Sequence, residues 1–185
     1  MRKAFANLLI LLGLIGFGAF GYLIWERNSS VRLQFNQAPE VQNSSLISGN
    51  VPADFSNPTI LRIPSIDSSL PIIPSKIVNN RWESTKKGVS YLETSPVPGE
   101  IGNSIIYGHN FPNLLKSLTK VKPDDEIYVD FASGATRKFV VHFTQEVGPY
   151  QSSILNPTED RRITLYTCSG FFDTKRFVVT AILSE

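Results

Sequence analysis

The sequence predicts a mainly β protein. It reads as one mainly antiparallel β-barrel domain with short helical decorations, preceded by a transmembrane helix. Three observations carry this. Short apolar-rich runs, many with a period of two, recur between residues 59 and 182 and are separated by turn clusters. Within that region one short stretch, 111–118, has a clear helical period. Near the N-terminus, residues 4–25 form a single apolar run.

A chain of 185 residues allows one domain of ordinary size with an anchor and a linker to spare. The expected division is an anchor over 1–25, a flexible stalk over 26–57 and a folded domain over 58–185. There are 18 Lys and Arg against 16 Asp and Glu. A net charge of +2 gives no case for nucleic acid as a partner. One cysteine excludes an intramolecular disulfide framework. The sequence holds no Cys/His cluster with zinc spacing, and no metal or cofactor is expected.

Arg2 and Lys3 precede the apolar run. The 22 residues from Ala4 to Trp25 would make a helix of about 33 Å, enough for a hydrocarbon core of roughly 30 Å. Tyr22 and Trp25 suit an interfacial aromatic belt. A cleaved signal peptide would have a shorter apolar region ending at small residues, and nothing clearly of that type follows. The basic start favours a cytoplasmic N-terminus and a domain outside the membrane. Residues 26–57 are rich in Ser, Asn, Gln and Pro and lack a sustained period. Such a coil would span roughly 30 Å end to end. Val31, Leu33 and Phe35 alternate within it, which leaves room for a short strand or docking segment.

The domain opens with strands at 59–63, stopped by Pro64, and at 69–73, where Pro71 argues for an edge position. Residues 89–92 read as a short strand or a turn of helix, and Pro96-Val97-Pro98-Gly99 as a turn. A strand at 104–107 ends at Gly108-His109, where glycine would let the backbone turn or approach a ligand. Phe111, Leu114, Leu115 and Leu118 then mark one face of a short helix, with Pro112 near its first position. Asp124-Asp125-Glu126 raises the question of calcium, but three adjacent residues cannot all converge on one ion, so the run reads as a solvated turn. Residues 127–131 and 138–143 read as a hairpin joined at Ser133-Gly134. His142 falls out of phase with Phe139, Val141 and Phe143, so it faces away from them and has no expected role in chemistry. Residues 147–160 form a connecting loop. Its Tyr150, Ile154 and Leu155 would line an apolar groove or serve as core residues of a short helix.

The last two strands are the sharpest feature. Ile163-Thr164-Leu165-Tyr166-Thr167-Cys168 alternates, and 177–182 is apolar at nearly every position, as in a strand buried on both faces. Between them lies a short polar loop. Cys168 therefore sits at the mouth of one strand and Arg176 at the start of the next, which holds a thiol near a guanidinium. A lone cysteine is often a small buried hydrophobe. A strand end beside a loop is, however, where sites are built, and a nearby cation stabilises thiolate.

Thr164-Leu165-Tyr166-Thr167-Cys168 resembles the T-L-x-T-C signature of sortases, membrane-anchored cysteine transpeptidases of bacterial surfaces. Arg176-Phe177-Val178-Val179-Thr180-Ala181 resembles the arginine-led strand that follows it in that family. Ile106-Tyr107-Gly108-His109-Asn110 is similar to the family's histidine motif, and the opening strands are similar as well. The resemblance runs from Thr59 to the C-terminus. It implies an eight-stranded barrel, with the subclass left open except that the short 147–160 loop argues against a long helical insertion.

On that resemblance Cys168, His109 and Arg176 are the expected catalytic residues, and Thr167, Tyr150 and Ile154 the expected substrate-binding ones. Cys168 would attack a Thr-Gly-like bond in the C-terminal sorting signal of a secreted protein. An amine acceptor, such as a peptidoglycan precursor or a pilin lysine, would then take the acyl group. Two other classes remain open. A different cysteine hydrolase would react at Cys168 without needing Arg176 and His109. A non-enzymatic, anchored β-domain in adhesion or surface assembly would tolerate loss of Cys168.

Overall fold

The computed structural model describes residues 2–27, 33–36 and 55–184. The side chain of Trp25 and stalk residues 28–32 and 37–54 lie outside the described residues. Helix α1 covers Arg2–Arg27. Its window Ala6–Leu23 has a mean hydropathy of 1.9 and no buried residue, so it is long and apolar enough to cross a membrane.

Ten strands follow. They are β1 (Pro58–Ile63), β2 (Ser68–Ser75), β3 (Ile77–Val78), β4 (Arg81–Trp82), β5 (Val89–Leu92), β6 (Gly102–Gly108), β7 (Glu126–Phe131), β8 (Thr136–Val147), β9 (Arg161–Ser169) and β10 (Lys175–Leu183). Eight of them close into a barrel in the order β1-β2-β5-β6-β9-β10-β8-β7, and β3 and β4 form a separate hairpin. The junctions β2/β5 and β6/β9 are parallel and the rest antiparallel. The expected mainly antiparallel, eight-stranded barrel is the fold observed.

Two strand-level expectations need correction. Closure leaves β2 with neighbours on both sides, so Pro71 is not on an edge. The proline is accommodated because β2 pairs with β5 only from Ile72 onward. At that point the chains touch: a Cβ on Gly88 would stand 2.2 Å from the Pro71 carbonyl oxygen. The expected helix after His109 is also different. Residues 111–114 form a turn, and a 3₁₀ helix follows over Leu115–Lys120. Leu114 has φ −129° and ψ −126°, which is not helical, yet Leu114, Leu115 and Leu118 are buried as their spacing required. The apolar positions were legible, whereas the backbone path between them depends on tertiary contacts.

The barrel has two apolar layers because side chains on a strand alternate between faces. Ile106, Leu165 and Val179 belong to the interior cluster. Ile105, Tyr107, Tyr166, Cys168 and Val178 belong to a second cluster on the opposite face of β6, β9 and β10. That second face is covered by Trp82 of β4, Leu155, and Leu33 and Phe35 from the stalk. Strand β9 is thus buried on both faces, although its alternation alone required only one.

The hairpin β7/β8 forms as expected, with Gly134 at φ 90° in its turn. Asp125 closes the turn before it, accepting a 3.0 Å hydrogen bond from the Lys122 amide. His142 is exposed and is skipped in the register between β8 and β10, where Thr180 pairs with Phe143 and Ala181 with Val141. It is the extra residue of a β-bulge, which turns it to the solvent side.

Candidate active site

The register of three adjacent strands brings the expected residues together. On β9 and β10, Cys168 pairs directly with Arg176. On β6 and β9, Gly108 pairs with Thr167 in a parallel ladder, so the next residue of each chain, His109 and Cys168, are neighbours. Residues opposed on adjacent strands share a face. Cys168 and Arg176 therefore lie on the outer face with Tyr166 and Val178, and the alternation Ile105, Tyr107, His109 leads to the same side. Cys168 and Arg176 are 4% exposed and His109 is 5% exposed, so the thiol is sheltered beneath its loops.

Tyr107 and Tyr166 stack beneath the site with ring centroids 5.4 Å apart. Trp82 meets Tyr107 edge-on at 5.3 Å. This aromatic floor fixes the ends of β6 and β9, which carry His109 and Cys168. The Thr167 hydroxyl adds a 2.7 Å hydrogen bond to the Gly108 carbonyl, tying the two chains one residue before His109 and Cys168. Gly108 serves packing here: a Cβ on it would meet Leu115 Cδ1 at 3.2 Å.

His109 stacks on Phe111 at 4.9 Å, and its Nε2 lies 3.2 Å from the Ser84 hydroxyl. Burial pushes its pKa below the ordinary histidine value, Lys86 lowers it further, and Asp173 opposes both. Arg176 is anchored by backbone carbonyls. Its Nη1 donates to Asp173 O at 3.0 Å and Lys175 O at 2.9 Å, and its Nη2 donates to Gln34 O at 3.1 Å. Among the described residues its Nε is buried without a hydrogen-bond partner.

The loop between β9 and β10 is bent. Gly170, Phe172 and Asp173 have φ of 75°, 53° and 59°. Asn110 Nδ2 donates to Asp173 Oδ1 at 2.9 Å, which links this loop to the one after His109. A cavity opens there, lined in part by Asn110, Lys116, Cys168, Phe171 and Asp173 and on its other side by Phe20 and Leu23 of α1; His109 and Arg176 do not line it. Phe171 is 82% exposed at its mouth. On the domain side the lining is the thiol of Cys168, Phe171, Phe172 and a few polar groups, which suits a peptide side chain.

Thr167 is buried beside the nucleophile position, as expected from the strand. Tyr150 is exposed. Ile154 packs at the margin of the outer cluster and lines a different groove, with Phe143, Gln145 and Gln151. Neither lines the cavity at Cys168. Ser84, Asn110, Asp173 and Gln34 were not singled out in the sequence. Asn110 was signalled only by its place in the histidine motif; Ser84 and Gln34 touch the site through contacts far apart in the chain, and Asp173 through a local bond from Arg176 and a distant one from Asn110. Among the described residues no cluster of His, Cys, Asp and Glu could hold a metal ion.

Comparison with known proteins gives one consistent result. A family model described as a sortase domain matches residues 61–184. Sortase A of Listeria monocytogenes is 28% identical over 129 residues, which cover 68% of this chain and 55% of that protein. The chain thus spans about half the length of that curated relative. Its crystal structure superposes with a TM-score of 0.55 at 25% identity, covering 69% of this chain and 86% of the other. Streptococcus agalactiae sortase C1, solved with MTSET, gives a TM-score of 0.59 at 23% identity over 69% of this chain and 67% of that one. For a Clostridium perfringens sortase D5 transpeptidase the TM-score is 0.60 at 20% identity, over 70% and 79% of the two chains.

Proposed function

The chain belongs to the sortase family, and from that premise we propose that it is a cysteine transpeptidase acting at a membrane surface. Cys168 is the nucleophile. Its thiolate attacks the carbonyl of a Thr-Gly-like bond in the C-terminal sorting signal of a secreted protein. A C–S bond forms, the C–N bond breaks, and the proton needed by the leaving amine comes from His109. The thioacyl enzyme is then attacked by an acceptor amine, such as a peptidoglycan precursor or a pilin lysine. His109 takes the amine's proton, and the C–S bond breaks to release Cys168. Peptide bond is exchanged for peptide bond, so no nucleotide or metal enters the balance.

The observation that carries this reading is the register placing Arg176 opposite Cys168 and His109 beside it on one face. Among the described residues Arg176 has a buried Nε without a partner. That donor suits the oxyanion that develops when the thiolate attacks. Thr167 shapes the pocket through its bond to Gly108. The residues lining the Cys168 cavity receive the sorting signal, and Tyr150 and Ile154 extend that contact only for a peptide that reaches beyond the cavity. The anchor over 1–25 and the stalk over 26–57 place the domain over 58–185 outside the membrane.

Peptides containing a Thr-Gly bond, incubated with the full chain and a defined amine, test this by mass spectrometry. The expected products are the amine-capped N-terminal fragment and a thioacyl adduct at Cys168. A folded Cys168→Ala variant should form neither, and turnover by that variant would rule the reading out.

A further inference from the structure

A piece of the stalk reaches the catalytic face. Leu33 is 0% exposed and Phe35 2% exposed, and both belong to the outer cluster that contains Cys168 and Tyr166. The Phe35 ring meets Tyr166 edge-on at 5.1 Å. The Asn36 amide donates a 2.9 Å hydrogen bond to Pro149 O, which pins the far end of the segment. Leu33 and Phe35 point inward two residues apart, so the intervening peptide is held, and its Gln34 carbonyl accepts the bond from Arg176 Nη2. The contact joins residues 142 positions apart.

A buried guanidinium needs an acceptor for its N–H groups, because an unpaired buried donor is costly. Asp173 and Lys175 carbonyls serve Nη1. Gln34 serves Nη2. These bonds fix the plane of the fork and leave unspent the Nε donor and the second N–H of Nη2.

We propose that residues 33–36 are a strap that positions Arg176 for acyl transfer, with Leu33 and Phe35 as the positioning residues that seat it. The proposal rests on the reading that Arg176 serves the reaction. The strap acts through the guanidinium: it sets the direction of the free donors and never touches the substrate. With the strap lifted, Nη2 loses its acceptor, water enters beside Arg176, and the fork is free to turn. The anchored N-terminal segment is then part of the catalytic apparatus and not only a spacer.

The test uses the full chain in detergent micelles. Its variants are Phe35→Ala, Arg176→Ala, the double variant and the conservative Phe35→Leu. Hydroxylamine is the acceptor, with a pool of quenched fluorescent Thr-Gly peptides. Phe35→Ala should lower kcat about ten- to a hundredfold, the scale of a misplaced catalytic group, with a smaller change in KM. It should cause no further loss in the Arg176→Ala background, and Phe35→Leu should recover most of the rate. In ¹⁵N NMR spectra, the Nη signals of Arg176 should be separate in the wild type and merged in Phe35→Ala. Independent, multiplying losses in the double variant would overturn the strap's role while leaving Arg176 in the reaction. So would an unchanged kcat in a Phe35→Ala protein whose Nη signals have merged. Wild-type turnover by Arg176→Ala would instead overturn the reading of Arg176, and the proposal with it, even where the Nη signals respond to Phe35→Ala. If Phe35→Ala does not fold, Leu33→Ala takes its place with the same readouts.

Discussion

Asn110 and Asp173 join the two loops that flank the thiol, through a 2.9 Å hydrogen bond from Nδ2 to Oδ1. Asn110 follows His109 directly, and the Asp173 carbonyl holds Arg176 Nη1. One bond therefore links the loop after His109 to the loop that holds Arg176, the two residues proposed as acid–base group and oxyanion donor. Asn110→Ala should cost only about 1 kcal/mol of stability, the usual net worth of one hydrogen bond. Its effect on kcat should be larger than that. Thermal melts and peptide turnover on one preparation compare the two, and equal small losses would mean the loops are held by other contacts.

The environment of His109 predicts the direction of its titration. Burial and Lys86 lower its pKa, and Asp173 raises it. Lys86→Gln should therefore move the midpoint up and Asp173→Asn should move it down, as read from the ring proton in Cys168→Ala protein. The sign for stability follows. A histidine favoured neutral in the fold contributes stability above its unfolded pKa of about 6.5 and loses it as pH falls through the lowered folded value. His109→Gln should flatten part of that acid loss. His142→Ala, at an exposed bulge, should change neither the melt nor the turnover.

Arg176→Lys should be nearly as inactive as Arg176→Ala. Lysine keeps the charge but has only three donors, all on one atom, so it cannot serve the Asp173, Lys175 and Gln34 carbonyls and still offer a fourth donor. Loss of an oxyanion donor commonly costs about 3–4 kcal/mol in the transition state. Single-turnover acylation measures that loss directly. A Lys variant with substantial activity would assign Arg176 a purely electrostatic part.

Gly88→Ala should be among the most damaging small substitutions. The added Cβ would stand 2.2 Å from the Pro71 carbonyl oxygen, a backbone atom that cannot swing away. A loss of about 3 kcal/mol, the upper end for overpacking, is expected in the melt. Gly148→Ala is the control, since its Cβ would meet only Gln151 Oε1 at an ordinary 3.7 Å.

The grouping of the three proposed site residues was legible because each sits at a strand end that local pattern marks: Tyr107-Gly108-His109, Thr167-Cys168 and Arg176-Phe177. Strand identity then does the rest, since register alone sets Cys168 opposite Arg176. Pro71 was misread because a proline signals an edge only where the sheet has one, and closure is a property of all eight strands together. The helix after His109 was misread because leucine spacing reports burial and not backbone angles. Ser84 near His109, and Asp173 on Asn110, join loops 25 and 63 positions apart, and no local pattern announces them. Leu33 and Phe35 were a marginal case. Their alternation marked a candidate docking segment, while the face that receives it is assembled from β6, β9, β10 and Trp82.

The seat of Leu33 also fixes a length. Helix α1 ends at Arg27, and Leu33 is held on the barrel six residues later. Whatever path the chain takes between them, six residues reach at most about 20 Å. With α1 in the bilayer, the barrel wall that carries the thiol is on a leash far shorter than the 32 residues before the domain would allow. If α1 spans a bilayer, the thiol would be confined to a thin shell just above the headgroups. A polypeptide still held in the membrane by its own C-terminal segment would meet it there, and one that has diffused away would not.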